Sequence, residues 1–285
     1  NHHHEPTAAR RPRPEGGGGM GERRIPGWLS GVIGVGVLLA AWWLFALAFR
    51  PDTGTYTPVP SPGAVLGQLV EDGFSAYWGS FRVTITEAAW GFLWGNLAAL
   101  LLAATVLLAP RLEPIIVQIA VVSYCLPLVA VGGISIVVLG GATRPGDPST
   151  TAIFLAALAV CFTTVVVAQL GVKAADRASL DVIRVFGGGR FTQLRKVRLV
   201  AALPGILNAL QIAVPTAFLG AVLGEYMGAT DRSVGILLIR LQGNLDSERV
   251  WAVFLLCAVV AMIGYGALGL VSRLVTPWVS GRSTP

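Results

Sequence analysis

Residues 174–204 read AADRASLDVIRVFGGGRFTQLRKVRLVAALP and separate two long apolar stretches. The segment carries six Arg or Lys residues, and Lys173 immediately precedes it. A basic connection of this length between two membrane spans belongs on the cytoplasmic side. Its pattern is that of a docking element. A helical run over 179–186 meets three successive glycines, Gly187, Gly188 and Gly189, and a second helical run carries Arg190 through Arg198. Helix, sharp glycine turn and helix together make a shape that another protein can grip.

Outward from this segment the chain is apolar. It is 285 residues long, 54% hydrophobic and only 13% charged, with a mean hydropathy of +0.69. Soluble domains carry roughly 25% charged residues, and a hydrocarbon core about 30 Å thick takes about 20 apolar residues per helix. Six stretches qualify: 28–49, 85–108, 115–139, 150–170, 201–226 and 250–275. The third contains Pro127 and the fifth contains Pro204 and Pro215, so both are expected to be kinked or interrupted. The expected fold is an all-α membrane protein of six transmembrane helices with no sizeable soluble domain. The apolar runs are too continuous for a barrel, whose strands alternate.

No small-residue cleavage site follows the first span, which reads as a retained helix rather than a signal peptide. With the N-terminus inside, the inner segments hold 15 of the 21 Lys and Arg residues, so both termini are expected to be cytoplasmic. The sequence pI of about 9.7 follows from this orientation and not from a nucleic-acid-binding surface, since the basic residues form no separate domain. Residues 1–27, rich in Pro, Gly and charge, are expected to be a disordered cytoplasmic tail. Met20 is a candidate natural start, and His2, His3 and His4 read as incidental rather than as a metal site. Residues 50–80 form the external connection, in which 64–72 reads as a short amphipathic helix at the membrane surface. Residues 81–278 are the membrane core, with the cytoplasmic loop at 171–200, and 279–285 a C-terminal tail. The run VGILLIRLQGNL within 228–249 reads as a short outer helix or a re-entrant piece.

Small residues recur at close-packing intervals. Gly91 and Gly95 are one such pair, and Gly220, Gly224 and Gly228 repeat the spacing on the fifth span. Such stripes let helix backbones approach within a bilayer. Intramolecular packing is the plain reading, and a subunit interface or translocation path the sharper one. Glu87 and Glu225 are the acids of the apolar spans. An intramembrane carboxylate is a functional suspect, but both lie near span ends, where a hydrated or helix-capping role competes equally. Cys125, Cys161 and Cys257 lack metal-ligand spacing and read as buried small apolar residues.

Several chemistries are excluded. The glycines at 16–19 are followed by Met20, Gly21 and Glu22, and those at 187–189 by Arg190 and Phe191, so neither run is a nucleotide phosphate loop. All histidines lie in the N-terminal tail, which leaves the membrane region without a His-based catalytic set or a His-ligated metal. No enzyme activity and no bound cofactor are expected of this chain.

The loop resembles the signature of bacterial ABC-type importer permeases, the membrane subunits of binding-protein-dependent transporters. That signature is a Glu-Ala-Ala triplet, a glycine downstream and an Ile-x-Leu-Pro ending. Asp181-Val182-Ile183 stands at the triplet, Gly187 at the glycine, and Val197, Arg198 and Leu199 at the ending, with Val200 in place of the proline. Ala201-Ala202-Leu203-Pro204-Gly205-Ile206 and Gly224-Glu225-Tyr226-Met227 are family-like continuations, and Pro60-Ser61-Pro62 before an amphipathic helix resembles the nitrate/sulfonate/taurine branch. The resemblance covers about residues 58–278. Asp181 is shorter than the usual Glu, and Val182 and Ile183 are bulkier than the alanines, which is the pattern of a divergent subfamily.

The resemblance implies a type I importer permease fold in a bacterial cytoplasmic membrane. It also implies a second permease subunit, two ABC ATPase subunits that carry ATP and Mg, an extracytoplasmic substrate-binding protein, and no nucleic acid. In that arrangement Gly187, with Gly188 and Gly189, makes the turn that enters an ATPase cleft. Val182, Ile183 and Phe186 supply its apolar face, and Arg184, Arg190 and Arg195 the polar contacts around it, with Asp181 at the acidic position. The cargo implied is a small anion or organic nutrient such as nitrate, a sulfonate, taurine or a vitamin precursor. The rival readings are an ATP-independent secondary transporter or channel, and a membrane scaffold whose loop recruits a soluble protein.

Overall fold

The computed structural model describes residues 27–49, 56–173, 185–187, 189, 199–227 and 231–277. Within these residues the regular structure is helical: α1 (Gly27–Ala48), α2 (Pro62–Asp72), α3 (Phe74–Leu108), α4 (Glu113–Cys125), α5 (Leu128–Leu139), α6 (Thr150–Lys173), α7 (Leu199–Glu225), α8 (Val234–Gly243) and α9 (Ser247–Val275). A 3-10 turn, Pro110–Leu112, links α3 to α4. Among the described residues five helices are long and apolar enough to cross a membrane: α1, α3, α6, α7 and α9.

The expected third span is interrupted at its proline, as its sequence indicates: it forms two helices, α4 and α5, broken at Leu126 and Pro127. Proline lacks the amide hydrogen that would continue the helix, and its ring crowds the carbonyl one turn back. The two prolines of α7 act differently. The helix runs through Pro204 and Pro215 without a break, because such kinks are tolerated where neighbouring helices enclose them. The second span also starts earlier than its apolar stretch indicates. Helix α3 begins at Phe74, directly after Gly73 (φ +71°), and carries Arg82 on its first turns. Cys125 is exposed at the end of α4, contrary to the expected burial, as are Ile115, Ile119, Val121 and Val122 of the same helix, which lies along the flank of the bundle; Cys161 and Cys257 are half-buried.

Helix α6 is the centre of the bundle, packed against α3 on one side and α7 on the other, with α4 and α5 along its flank. Helix α9 lies across α7, and α1 stands at the margin, touching the rest through Ala46 and the stacked pair Trp42–Trp251, whose ring centroids are 5.2 Å apart. The outward faces of α1, α5 and α9 are rows of exposed Val, Leu, Ile and Phe, the surface that hydrocarbon solvates.

Helix α2 is the amphipathic helix expected at 64–72. Pro62 occupies its first turn, where no amide hydrogen is needed. The Ser61 hydroxyl caps it by accepting a hydrogen bond from the Ala64 amide (3.3 Å). Val65 is buried and Val70 exposed, so one face meets the protein. That face is clamped to the start of α9. Arg249 donates to both oxygens of Asp72, from Nε at 2.9 Å and from Nη2 at 2.8 Å. Its Nη1 donates to Asp246 at 2.8 Å, and Asp246 in turn caps α9 at the Arg249 amide. Gln68 and Tyr77 also donate to Asp72.

The Arg249 hydrogen bonds hold the Asp72 carboxyl well below the usual carboxylate range against the opposing effect of burial, and the Tyr77 and Gln68 hydrogen bonds add to it. A lowered carboxylate stabilises the fold above its unfolded value, about 3.9, and loses that contribution as acid protonates it. The Arg249 side chain is 42% exposed, so the clamp is worth about 1 kcal/mol, the upper end for solvent-screened pairs. Asp72→Asn is therefore expected to lower the thermal midpoint at neutral pH. The gap from wild type should close as the pH falls below about 4, measured by unfolding in detergent across a pH series.

Candidate functional site

Three groups of residues are singled out by the sequence. The structure brings two of them together and places part of the third.

The glycine stripes of α3 and α7 converge on α6. A Cβ added at Gly91 would lie 2.3 Å from the Ala156 Cβ, and one at Gly95 would lie 2.4 Å from the Ala157 carbonyl oxygen. From the opposite side, a Cβ at Gly220 would lie 2.8 Å from the Ala156 Cα, and one at Gly224 would lie 2.5 Å from the Ala152 Cα. Glycine is required at all these positions because the obstacles are backbone or short side chains that cannot move aside. Ala156 is thus held between Gly91 and Gly220. About two turns further along α6, the Thr164 hydroxyl donates to Asn96 Oδ1 at 2.7 Å, and the Asn96 side-chain amide donates to the Phe92 carbonyl of its own helix. Gly220 and Gly224 pack against α6; Gly228 lies outside the described residues.

Glu87, in the first half of α3, and Glu225, the last residue of α7, are fully buried near the N-terminal end of α6. Each caps the N-terminus of a different helix. Glu87 Oε1 accepts the Ser149 amide at 2.6 Å, at the start of α6. Glu225 Oε2 accepts the Gly235 amide at 2.7 Å, at the start of α8. Thr84 adds a third cap by accepting the Val234 amide at 3.0 Å. The local caps Ser149 and Ser233 each serve one further amide, of Ala152 and Ile236. Buried helix N-termini leave several amides to satisfy, and here acceptors distant in sequence add to the local serine caps. Of the two roles open to these acids, the capping one describes the geometry, but in a dry site and not a hydrated one. The close approach again needs glycine: a Cβ at Gly235 would lie 2.7 Å from the Glu225 Cβ.

Of the expected coupling residues, Asp181, Val182, Ile183, Arg184, Gly188 and Arg190 lie outside the described residues. Val185 and Phe186 are 83% and 85% exposed, and Gly187 follows with φ +75°. The left-handed backbone at Gly187 is the conformation for which glycine was singled out. Gly189 is also described, with open space around it. Among the described residues no group of three His, Cys, Asp or Glu is placed to hold a metal.

A model of the binding-protein-dependent transport system inner membrane component matches residues 91–281, two thirds of the chain. The chain belongs to that family. It is a multi-pass inner-membrane permease component of a binding-protein-dependent ABC importer. It is 28% identical over 232 residues to the "Probable ABC transporter permease protein" of Haemophilus influenzae, covering 81% of this chain and 90% of that one. It is 25% identical over 257 residues to the "Putative aliphatic sulfonates transport permease protein SsuC" of Bacillus subtilis, covering 90% of each. The fold is similar to that of the inward-facing MetNI methionine ABC transporter, with a TM-score of 0.55 at 17% identity over 76% of this chain and all of that one. The ATP-independent carrier and the scaffold fall with this membership. The sulfonate-type branch read from Pro60-Ser61-Pro62 agrees with the likeness to SsuC.

The converging glycines give a direct test of the packing. Gly224→Ala is expected to destabilise by about 1–3 kcal/mol, the cost of overpacking a filled interior. Gly266→Ala on α9, where an added Cβ meets nothing within 4 Å, should cost nothing. Thermal unfolding of the two purified variants side by side checks the contrast.

Proposed function

We propose that this permease forms one half of a paired translocation path and docks its ATPase through residues 171–200. The observation that carries the reading is the exposed apolar pair Val185 and Phe186 beside the left-handed turn at Gly187. These residues sit on the connection between α6 and α7, the two helices in closest contact in the bundle. Two apolar side chains so exposed, flanked by Arg184 and Arg190 in sequence, suit burial in a protein cleft with a polar rim. Asp181, Val182, Ile183, Gly188 and Gly189 complete the docking segment by their match to the family signature.

In this reading α4 and α5 together make one broken span, giving six spans with a type I importer permease fold. Both termini and the 171–200 segment face the cytoplasm, as the excess of Lys and Arg on that side supports. Helix α2 then lies on the outer surface within the 50–80 connection, where an extracytoplasmic substrate-binding protein delivers cargo. ATP and Mg are bound by the ATPase subunits and not by this chain. ATP-driven closure of those subunits moves the paired docking segments together, and α6 and α7 carry the movement into the membrane. A second permease subunit, identical or different, completes the path. The cargo is a small anionic or organic nutrient, a reading supported by the likeness to SsuC, which is named for aliphatic sulfonates.

A β-branched residue at Gly187 costs roughly 1–2 kcal/mol for the left-handed backbone alone, about a tenfold loss of docking equilibrium. Gly187→Val and Phe186→Ala are each expected to lower the ATPase recovered with the permease, and substrate uptake, by about that factor while the purified chain keeps its thermal midpoint. Normal uptake in both variants would remove the docking role from this turn.

A further inference from the structure

Glu87 and Glu225 are brought to one buried site by consecutive amides of α8: Thr84, one turn before Glu87 on α3, accepts the Val234 amide, and Glu225 accepts the Gly235 amide. Each has one oxygen engaged by a backbone amide, Glu87 Oε1 with Ser149 and Glu225 Oε2 with Gly235. The neighbouring hydroxyls are engaged elsewhere: Thr84 donates to the Ser80 carbonyl and accepts the Val234 amide, and Ser233 accepts the Ile236 amide. The remaining oxygens, Glu87 Oε2 and Glu225 Oε1, are completely buried and have no amide or hydroxyl donor. An ionised carboxylate is an acceptor only, so two of them in contact with no donor between them would repel.

The surrounding charge gives the same count. The pair sits at the N-termini of α6 and α8, and a helix N-terminus presents about half a positive elementary charge. Two such ends offset one negative charge and leave a second uncompensated. No ion pair among the described residues involves either glutamate. Cys257, on α9, is a further titratable group on the Glu225 side of the pair.

We propose that Glu87 and Glu225 bind a single proton between Glu87 Oε2 and Glu225 Oε1. The pair then carries one negative charge, matched by the two helix ends, and the shared proton makes a charge-assisted O–H···O bond. The site suits no larger cation. Two carboxylate oxygens are far short of the six or more oxygens that a hard metal gathers, and Gly235 leaves the Glu225 side chain no room to withdraw. The bond joins α3 to α7, and through the two caps it draws in α6 and α8. The proton therefore closes the end of the bundle opposite to the 174–198 connection, and its loss places a second negative charge between two helix ends that together balance one.

Infrared spectroscopy of the full chain in lipid nanodiscs tests this, with uniformly labelled 13C-glutamate to separate Glu from Asp. Wild type at neutral pH should show a protonated-carboxyl C=O band that shifts with the label and disappears on raising the pH. E87Q and E225Q should each abolish the band, because a glutamine amide donates to the remaining carboxylate and removes the need for a proton. A wild-type spectrum without a glutamate carboxyl band would overturn the proposal. So would a band retained in both variants, or one that responds to sodium or potassium rather than to pH. Should a variant fail to fold, the wild-type band and its pH response decide alone.

Discussion

The bundle depends on the closeness with which α6 meets its neighbours. Lipid tails are as apolar as leucine, so burial of apolar surface supplies no drive for helices to associate in a bilayer. Contact must come from van der Waals packing at short range, which requires both partners to be small. Helix α6 supplies Ala152, Ala156 and Ala157, and the facing helices supply Gly91 and Gly95 on one side and Gly220 and Gly224 on the other. Because Ala156 serves both sides, the two contacts share one register. The polar pair Thr164–Asn96 then adds a directional bond at a depth where its donor has no water to turn to, worth about 0.6 kcal/mol on average for such bonds.

Once α3, α6 and α7 are set in register, the end of the bundle follows. The starts of α6 and α8 fall inside the packed volume, with Ser149, Ser233 and Val234 fully buried. Their amides must be met without water. A serine cap reaches one amide, and the rest require acceptors carried in by other helices. Thr84 and Glu87 lie about one turn apart on the same face of α3, which lets one helix contribute to both caps. Glu225 arrives from the last turn of α7, a position where a negative side chain is unfavourable to its own helix. That cost is offset because the same carboxylate lies at the positive end of α8.

Much of this organisation was legible in the sequence because it rests on short-range pattern. The glycine spacing on α3 and α7, the Ser61-Pro62 start of α2 and the interruption at Pro127 each depend on residues a few places apart, and each appears in the structure where the chain chemistry puts it. The meeting of Glu87 with Glu225 was not legible. It joins residues far apart in sequence, and hydropathy places both near span ends, where water would be expected; their full burial depends on how distant helix ends meet, which hydropathy does not report. The early start of α3 was missed for a related reason. Its first turns carry Arg82 and Ser80, which lower the hydropathy but do not stop a helix. The exposure of Cys125 follows from the marginal place of α4 in the bundle, which an apolar stretch alone does not specify. The docking segment was read from charge and glycine placement, and only Val185, Phe186, Gly187 and Gly189 of its centre belong to the described residues.

The same contacts constrain how a permease of this kind can move. Sliding α7 along α6 by one residue would shift it about 1.5 Å, carrying Gly220 and Gly224 away from Ala156 and Ala152 and bringing larger side chains against the same backbone. The distances at these glycines leave no room for that exchange. A transition that opens and closes a path must therefore carry α3, α6 and α7 together as one body. The freedom lies where packing is sparse: at α1, which touches the rest through few residues, at the α4–α5 break, and at the lipid-facing side of α9. The connection between α6 and α7 joins the two most closely packed helices of the bundle, and Glu225 lies at the far end of one of them.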